Sequence, residues 1–194
     1  MLDYIDWDPF FSTWQIRGKY PNRTYPKIFN DKTVGAEAQR LFDAGQVMLR
    51  RLIDENLIEA RGIVGFYPCN TVGVDDIEVQ DPEDPTRPLC QFMTLRQQLD
   101  LDQESFVAMS DFIAPKDSGV QDYIGGFACS AGFRQEELCQ KFLDDGDDYN
   151  NIMVKTLTDR LAEAFAEYLH VLVRRELWAY SPNEELTPAQ CINV

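Results

Sequence analysis

Residues 147–168 place two carboxylates, Asp159 and Glu163, four positions apart in a segment with helical patterning. Four residues turn an α-helix through about 400°, so the two side chains stack one turn apart on one side. Such a pair accepts hydrogen bonds from a cation. It can be an ordinary wet face, with Lys155 one turn before Asp159 pairing with it, or it can line a cleft that holds the cationic part of a small ligand. Periodicity alone does not choose. Val154, Leu157, Leu161, Phe165, Tyr168 and Leu172 form an apolar stripe, and Asp159, Glu163 and His170 fall opposite it, where solvated carboxylates are ordinary. A third carboxylate, Asp6, lies in Tyr4-Ile-Asp-Trp-Asp-Pro-Phe-Phe11 just before a short aromatic helix, and could be no more than the cap of that helix.

Other chemistries have little to work with. His170 is the only histidine, which leaves nucleophilic triads and multi-histidine metal sites without parts. Cys69, Cys90, Cys129, Cys139 and Cys191 are odd in number and form no C-x-x-C pair, so reduced, mostly packed thiols are expected. Gly62-x-x-Gly65 and Gly125-Gly126 do not make a phosphate-cradling loop and read as close backbone packing on strands. In Asp144-Asp-Gly-Asp-Asp148, setting Gly146 at the sixth position of a calcium loop puts Lys141 first and Leu143 third, so that reading fails. Capping of the next helix by Asp147 or Asp148 fits better.

The elements that must position these groups follow from pattern. Helices are predicted over 6–16, about 34–57 and about 135–143, and from the acid run to about Trp178. On the second helix Val47 and Ile53 join Ala38, Leu41, Phe42, Leu49 and Leu52 on the apolar side, and Gly35 and Gly45 weaken it slightly. Arg61–Asn70 reads as a strand. Asp75–Gln80 and Leu89–Leu95 read as a hairpin pair around a proline-rich loop, Phe106–Ala114 as an extended run, and Tyr123–Ala131 as a buried glycine-rich strand. Helix–strands–helix order predicts α+β, with a mostly antiparallel sheet flanked by helices. The length suits one domain. An excess of 33 Asp+Glu over 18 Lys+Arg, net −15, disfavours nucleic acid and an anionic membrane surface as partners. The acidic start, Met1-Leu-Asp-Tyr-Ile-Asp-Trp7, is unlike a signal peptide, and a cytoplasmic protein is the default expectation.

Several strings taken together carry a resemblance: Tyr4–Phe11, Val34–Phe42, Arg61–Pro68, Asp75–Ile77, Leu95–Gln98, Ser110–Pro115 with Ser118-Gly119, Asp122–Gly125, Asp147–Asn150, Ile152–Lys155, Asp159–Glu167 and Arg174–Tyr180. In this order and spacing the chain resembles the C-terminal activation domain of cobalamin-dependent methionine synthase, over essentially its whole length. The resemblance implies a C-shaped domain with a twisted antiparallel sheet. It implies a groove for S-adenosylmethionine, closure over a corrinoid-binding domain that holds the cobalamin, and an electron from flavodoxin or a flavoprotein reductase. Remethylation of cob(II)alamin by that route lets methyl transfer from methyltetrahydrofolate to homocysteine resume. The family's ligand positions match Asp6 and Glu163. Asp159, one turn from Glu163, is implied as a contact of the corrinoid domain.

Two departures qualify the resemblance. The family's Arg-x-x-x-Gly-Tyr-Pro string does not occur in residues 1–194, nor does the D-x-H-x-x-G string of corrinoid domains. The chain is therefore expected to be a partial activation domain that binds S-adenosylmethionine poorly, does not hold cobalamin itself and is not catalytically competent alone. The alternative is a stand-alone docking domain for a corrinoid protein that does not use S-adenosylmethionine.

Overall fold

The computed structural model describes residues 1–99, 105–188 and 190. In chain order it contains α1 (Asp8–Thr13), α2 (Gly35–Asp54), β1 (Glu59–Val72), β2 (Asp76–Gln80), β3 (Pro88–Met93), β4 (Asp122–Phe133), α3 (Gln135–Asp144) and α4 (Asp148–Leu172). Short 3-10 turns lie at Leu2–Tyr4, Lys27–Asn30, Met109–Phe112 and Lys116–Ser118. The four strands form one sheet in the order β3-β2-β1-β4, with β2 antiparallel to both its neighbours. The α+β class is the one the pattern predicts. Packing divides the chain into two compact units, residues 1–62 with 128–194, and residues 63–127.

The first unit is built on α4. Met153, Val154, Leu157, Leu161 and Ala164 are buried against Phe10 and Phe11 of α1, Leu41, Leu49 and Leu52 of α2, and Leu138 of α3. Asp147 caps α4, its carboxylate accepting the Asn150 amide at 3.0 Å, as the acid run predicts. The helix passes into a π-helical turn at Val173–Leu177, so the column ends close to Trp178 but with a change of winding. On α2 two positions depart from expectation: Val47 and Ile53, assigned to its apolar side, are 65% and 48% exposed.

The glycines of α2 have a role that helix propensity does not reveal. A Cβ on Gly35 would lie 2.4 Å from the Phe29 carbonyl oxygen, and one on Gly45 would lie 2.9 Å from Cζ of Phe10. They let the preceding loop and α1 approach the helix closely. The same loop is tied by Asp31, which accepts the amides of Lys19 (2.8 Å), Thr33 (2.8 Å) and Val34 (3.1 Å) and the Thr33 hydroxyl (2.6 Å). The Lys19 amide, with the Thr33 and Val34 donors, holds the Asp31 carboxyl well below the usual carboxylate range.

In residues 63–127 the core is small: Cys69, Ile77 and Val79, with Ile113 and Ile124 packed on it. Burial pushes the Cys69 thiol up to about 11, and the Asp122 charge acts in the same direction. A run of side-chain amides supports the sheet. Gln121 donates to Gln80 (3.1 Å), Gln80 to Asn70 (3.2 Å), and Asn70 to the carbonyls of Ala114 (3.0 Å) and Val120 (2.8 Å). Phe106–Ala114 is not one extended run. Asp111 accepts the Ala108 amide at 2.9 Å and closes a 3-10 turn at Met109–Phe112. β4 is also less buried than its glycine-rich sequence suggests, with Ala131 its only buried residue.

Candidate functional site

Asp159 and Glu163 both stand on the exposed side of α4, one turn apart. What joins them is Arg160. Its guanidinium donates to Glu163 through Nη1 and Nη2, both at 2.7 Å, and to Asp159 through Nη2 at 2.6 Å. The arginine side chain is only 7% exposed, while the two carboxylates are 69% and 62% exposed. Burial works against its charge but is outweighed by Asp159 and Glu163, so the guanidinium pKa is raised. Lys155, a possible partner of Asp159 by spacing, is not the residue that pairs with it. The arrangement is an acidic rim over a buried cation, with carboxylate lone pairs still facing solvent.

Sequence reasoning missed Arg160, although the signal was present. Position 160 falls seven after Met153 and three after Leu157, on the core side of α4, where a charge needs compensation. Carboxylates at the next residue back and three residues on supply it.

Asp6 belongs to the same compact unit. The segment that carries it lies along α4: both the Leu2–Tyr4 turn and α1 pack on that helix, and the Tyr4 ring centroid is 5.9 Å from that of Tyr168. Asp6 Oδ1 accepts the amide of Asp8, the first residue of α1, at 3.0 Å. The cap position itself is Trp7, which makes no side-chain cap bond, so Asp6 braces the helix start from one residue further out, and the bond occupies one of its oxygens. Asp8 in turn accepts the Tyr25 amide at 2.6 Å. Burial raises the Asp8 pKa, against the pull of that amide, and the neighbouring Asp6 charge adds to the rise. Among the described residues no hydrogen bond links Asp6 with Glu163, Asp159 or Arg160. Beside the Asp6 segment an open cleft of about 710 Å³ is walled by Ile5, Trp7, Tyr25 and Phe42, with Asp3 and Arg50 also lining it.

Among the described residues, no three His, Cys, Asp or Glu side chains gather as a ligand set. Cys69, Cys90, Cys129 and Cys139 are free thiols, and Cys191 lies outside the described residues. Among the described residues no helix is long and apolar enough to cross a membrane.

Comparison with known proteins gives this geometry its context. The family described as vitamin B12 dependent methionine synthase, activation domain, matches residues 1–194. The chain belongs to that family. Among solved structures it is similar to a MetH reactivation domain bound to AdoHcy, with 47% sequence identity and a TM-score of 0.89. That match covers 99% of this chain and 57% of the other, so the chain spans a little over half the length of its relative. As an activation domain the chain carries three acidic positions, Asp6, Asp159 and Glu163, on elements that pack together, with Arg160 fixing two of them. His170, the sole histidine, is an exposed residue within α4.

Proposed function

We propose that this chain forms the acidic wall of an S-adenosylmethionine site in the reductive-activation module of a cobalamin-dependent methionine synthase. The observation that carries the reading is the relative of 47% identity and TM-score 0.89, whose structure holds AdoHcy, the demethylated form of the methyl donor. Glu163 and Asp6 are its ligand contacts, and Asp159 faces the corrinoid domain. S-adenosylmethionine differs from AdoHcy by a methyl group and a positive charge on sulfur. Carboxylates at the site therefore favour the donor over its product by direct Coulomb attraction. The corrinoid, held by a partner domain, supplies the centre that takes the methyl group. Flavodoxin or a flavoprotein reductase supplies the electron, and the recovered enzyme returns to methyl transfer from methyltetrahydrofolate to homocysteine in the cytoplasm.

Residues 1–194 contain no Arg-x-x-x-Gly-Tyr-Pro string to grip the ligand carboxylate, so binding by these residues alone is weak. The test is therefore an NMR titration of the ¹⁵N-labelled chain, which reads weak binding residue by residue. S-adenosylmethionine should shift the amides of Asp6–Asp8 and Arg160–Ala164 saturably, and AdoHcy should require a higher concentration. Glu163→Gln should weaken the donor about tenfold, the size of one charge-assisted hydrogen bond. Shifts confined to other surfaces, or an affinity unchanged by both Asp6→Asn and Glu163→Gln, would overturn the assignment.

A further inference from the structure

The strings Asp75–Ile77, Leu95–Gln98 and Ser110–Pro115 play no part in the acidic rim of α4, yet side-chain bonds tie them together beside one cleft within residues 63–127. Arg96 donates to Asp75 (2.5 Å) and to both oxygens of Asp111 (2.6 and 2.8 Å). Thr71 donates its hydroxyl to the carbonyls of Ser110 (2.7 Å) and Ile113 (3.1 Å). The cleft between residues 71–74, where β1 ends in a turn, and the segment from Ser110 to Asp117 has a volume of about 550 Å³, within the range that ligand pockets occupy.

We infer that this cleft seats an arginine side chain presented by a protein partner. The first reason is Ser110. It lines the cleft and is 1% exposed, yet its hydroxyl has no hydrogen-bond partner among the described residues. A buried hydroxyl is ordinarily satisfied, and an incoming N–H donor would satisfy this one. The second reason is Asp117. Of the charged groups that line the cleft, Asp111 is committed to Arg96 and Lys116 to Glu78. Asp117 has no partner among the described residues and remains to receive a cation.

Charge complementarity selects the sign of the occupant. Residues 63–127 contain twelve Asp and Glu against three Lys and Arg, net −9. All three basic side chains are paired within the unit: Arg87 with Asp81, Arg96 with Asp75 and Asp111, and Lys116 with Glu78. An anion would meet an adverse field with no free cation to offset it, whereas a cation meets a favourable one. Val72, Ile113 and Pro115 supply apolar lining that suits the stem and flat face of a guanidinium better than a compact, strongly hydrated ammonium. Val74, Met109 and Phe112 expose large apolar side chains in the same segments. Exposed apolar surface with polar groups around it is the anatomy of a protein interface rather than of a site for free arginine.

The test is an NMR titration of the whole ¹⁵N-labelled chain with the peptide Ac-Ala-Arg-Ala-NH₂, using Ac-Ala-Gln-Ala-NH₂ as the uncharged control and free arginine as a third arm. The arginine peptide should shift the amides of Val72–Val74, Ser110 and Asp117 saturably, and more tightly than free arginine. Asp117→Asn should weaken it roughly two- to fivefold, as expected of an exposed pair. Ser110→Ala should weaken it about tenfold without lowering the melting temperature, because it removes a hydroxyl that has no partner among the described residues. Equal shifts from the glutamine peptide, shifts spread without saturation over all acidic surfaces, or an affinity that Asp117→Asn leaves unchanged would each overturn the proposal. Asp117 is exposed, so its variant decides the matter even if Ser110→Ala does not fold.

Discussion

Arg160 holds Glu163 through two parallel hydrogen bonds of 2.7 Å, the arginine buried and the glutamate exposed. The candidate ligand carboxylate is thus already engaged by a cation of its own helix. A second cation arriving from solvent must share those oxygens. The pair also fixes which substitution is costly. Either carboxylate alone still neutralises Arg160, but loss of both leaves a buried guanidinium uncompensated. Asp159→Asn with Glu163→Gln should therefore destabilise the fold by about 2–3 kcal/mol, more than the two single changes added together. Arg160→Met, which removes the buried charge and keeps the volume, should cost under about 1.5 kcal/mol. Urea unfolding of the four variants measures this, and simple additivity would count against it.

The thiols should separate cleanly by environment. Cys90 is exposed, whereas Cys69 is buried and its pKa is pushed up to about 11 by burial, with Asp122 contributing. Reaction with a thiol-specific disulfide reagent at pH 8 should label Cys90 early and Cys69 only on unfolding, and Cys90→Ser should remove one fast equivalent. The sign of the pH effect follows from linkage. The folded thiol keeps its proton to a higher pH than the unfolded one, so its stabilising contribution is complete below about pH 9 and declines as pH rises towards about 11. A Cys69→Ala variant should show a flatter loss of stability across that alkaline window.

Gly35 offers a reversal of sign. In the first turn of an ordinary helix, glycine to alanine would stabilise by up to about 1 kcal/mol. Here the added methyl would meet the Phe29 carbonyl oxygen at 2.4 Å and its carbon at 2.9 Å, and neither is the yielding end of a side chain. Gly35→Ala should instead destabilise by about 2 kcal/mol or more. Thermal melting of the variant against the parent checks this, and a rise in melting temperature would contradict the close approach.

The outcome for Gly35 marks the boundary of what the sequence makes legible. Helices α2, α3 and α4 stand out because apolar residues recur at helical spacing, and the start of α4 because Asp147 follows a break in the pattern. The β2–β3 hairpin is legible from its proline-rich loop. Less visible are features made by contact across the chain. The approach of Phe29 to Gly35 is one. The 3-10 turn at Met109–Phe112, which Asp111 closes onto Ala108, is another. At the site, the pattern places Asp159 and Glu163 on one face but hides Arg160, because its burial depends on what α4 packs against. Asp6 was readable as a helix-start residue from its position before Asp8-Pro9. The ligand role proposed for it rests only on the resemblance of the whole string, since nothing in the local pattern distinguishes the two.

The uneven distribution of charge has a consequence for handling the protein. Nine of the fifteen excess negative charges lie in residues 63–127, a third of the chain, where every lysine and arginine is already neutralised by a neighbour. That segment must gather a diffuse atmosphere of sodium or potassium ions, and its small core works against mutual repulsion whenever buffer is dilute. Moderate ionic strength should tighten it more than the α4 unit, so an early, salt-sensitive shoulder in calorimetry belongs to these sixty-five residues.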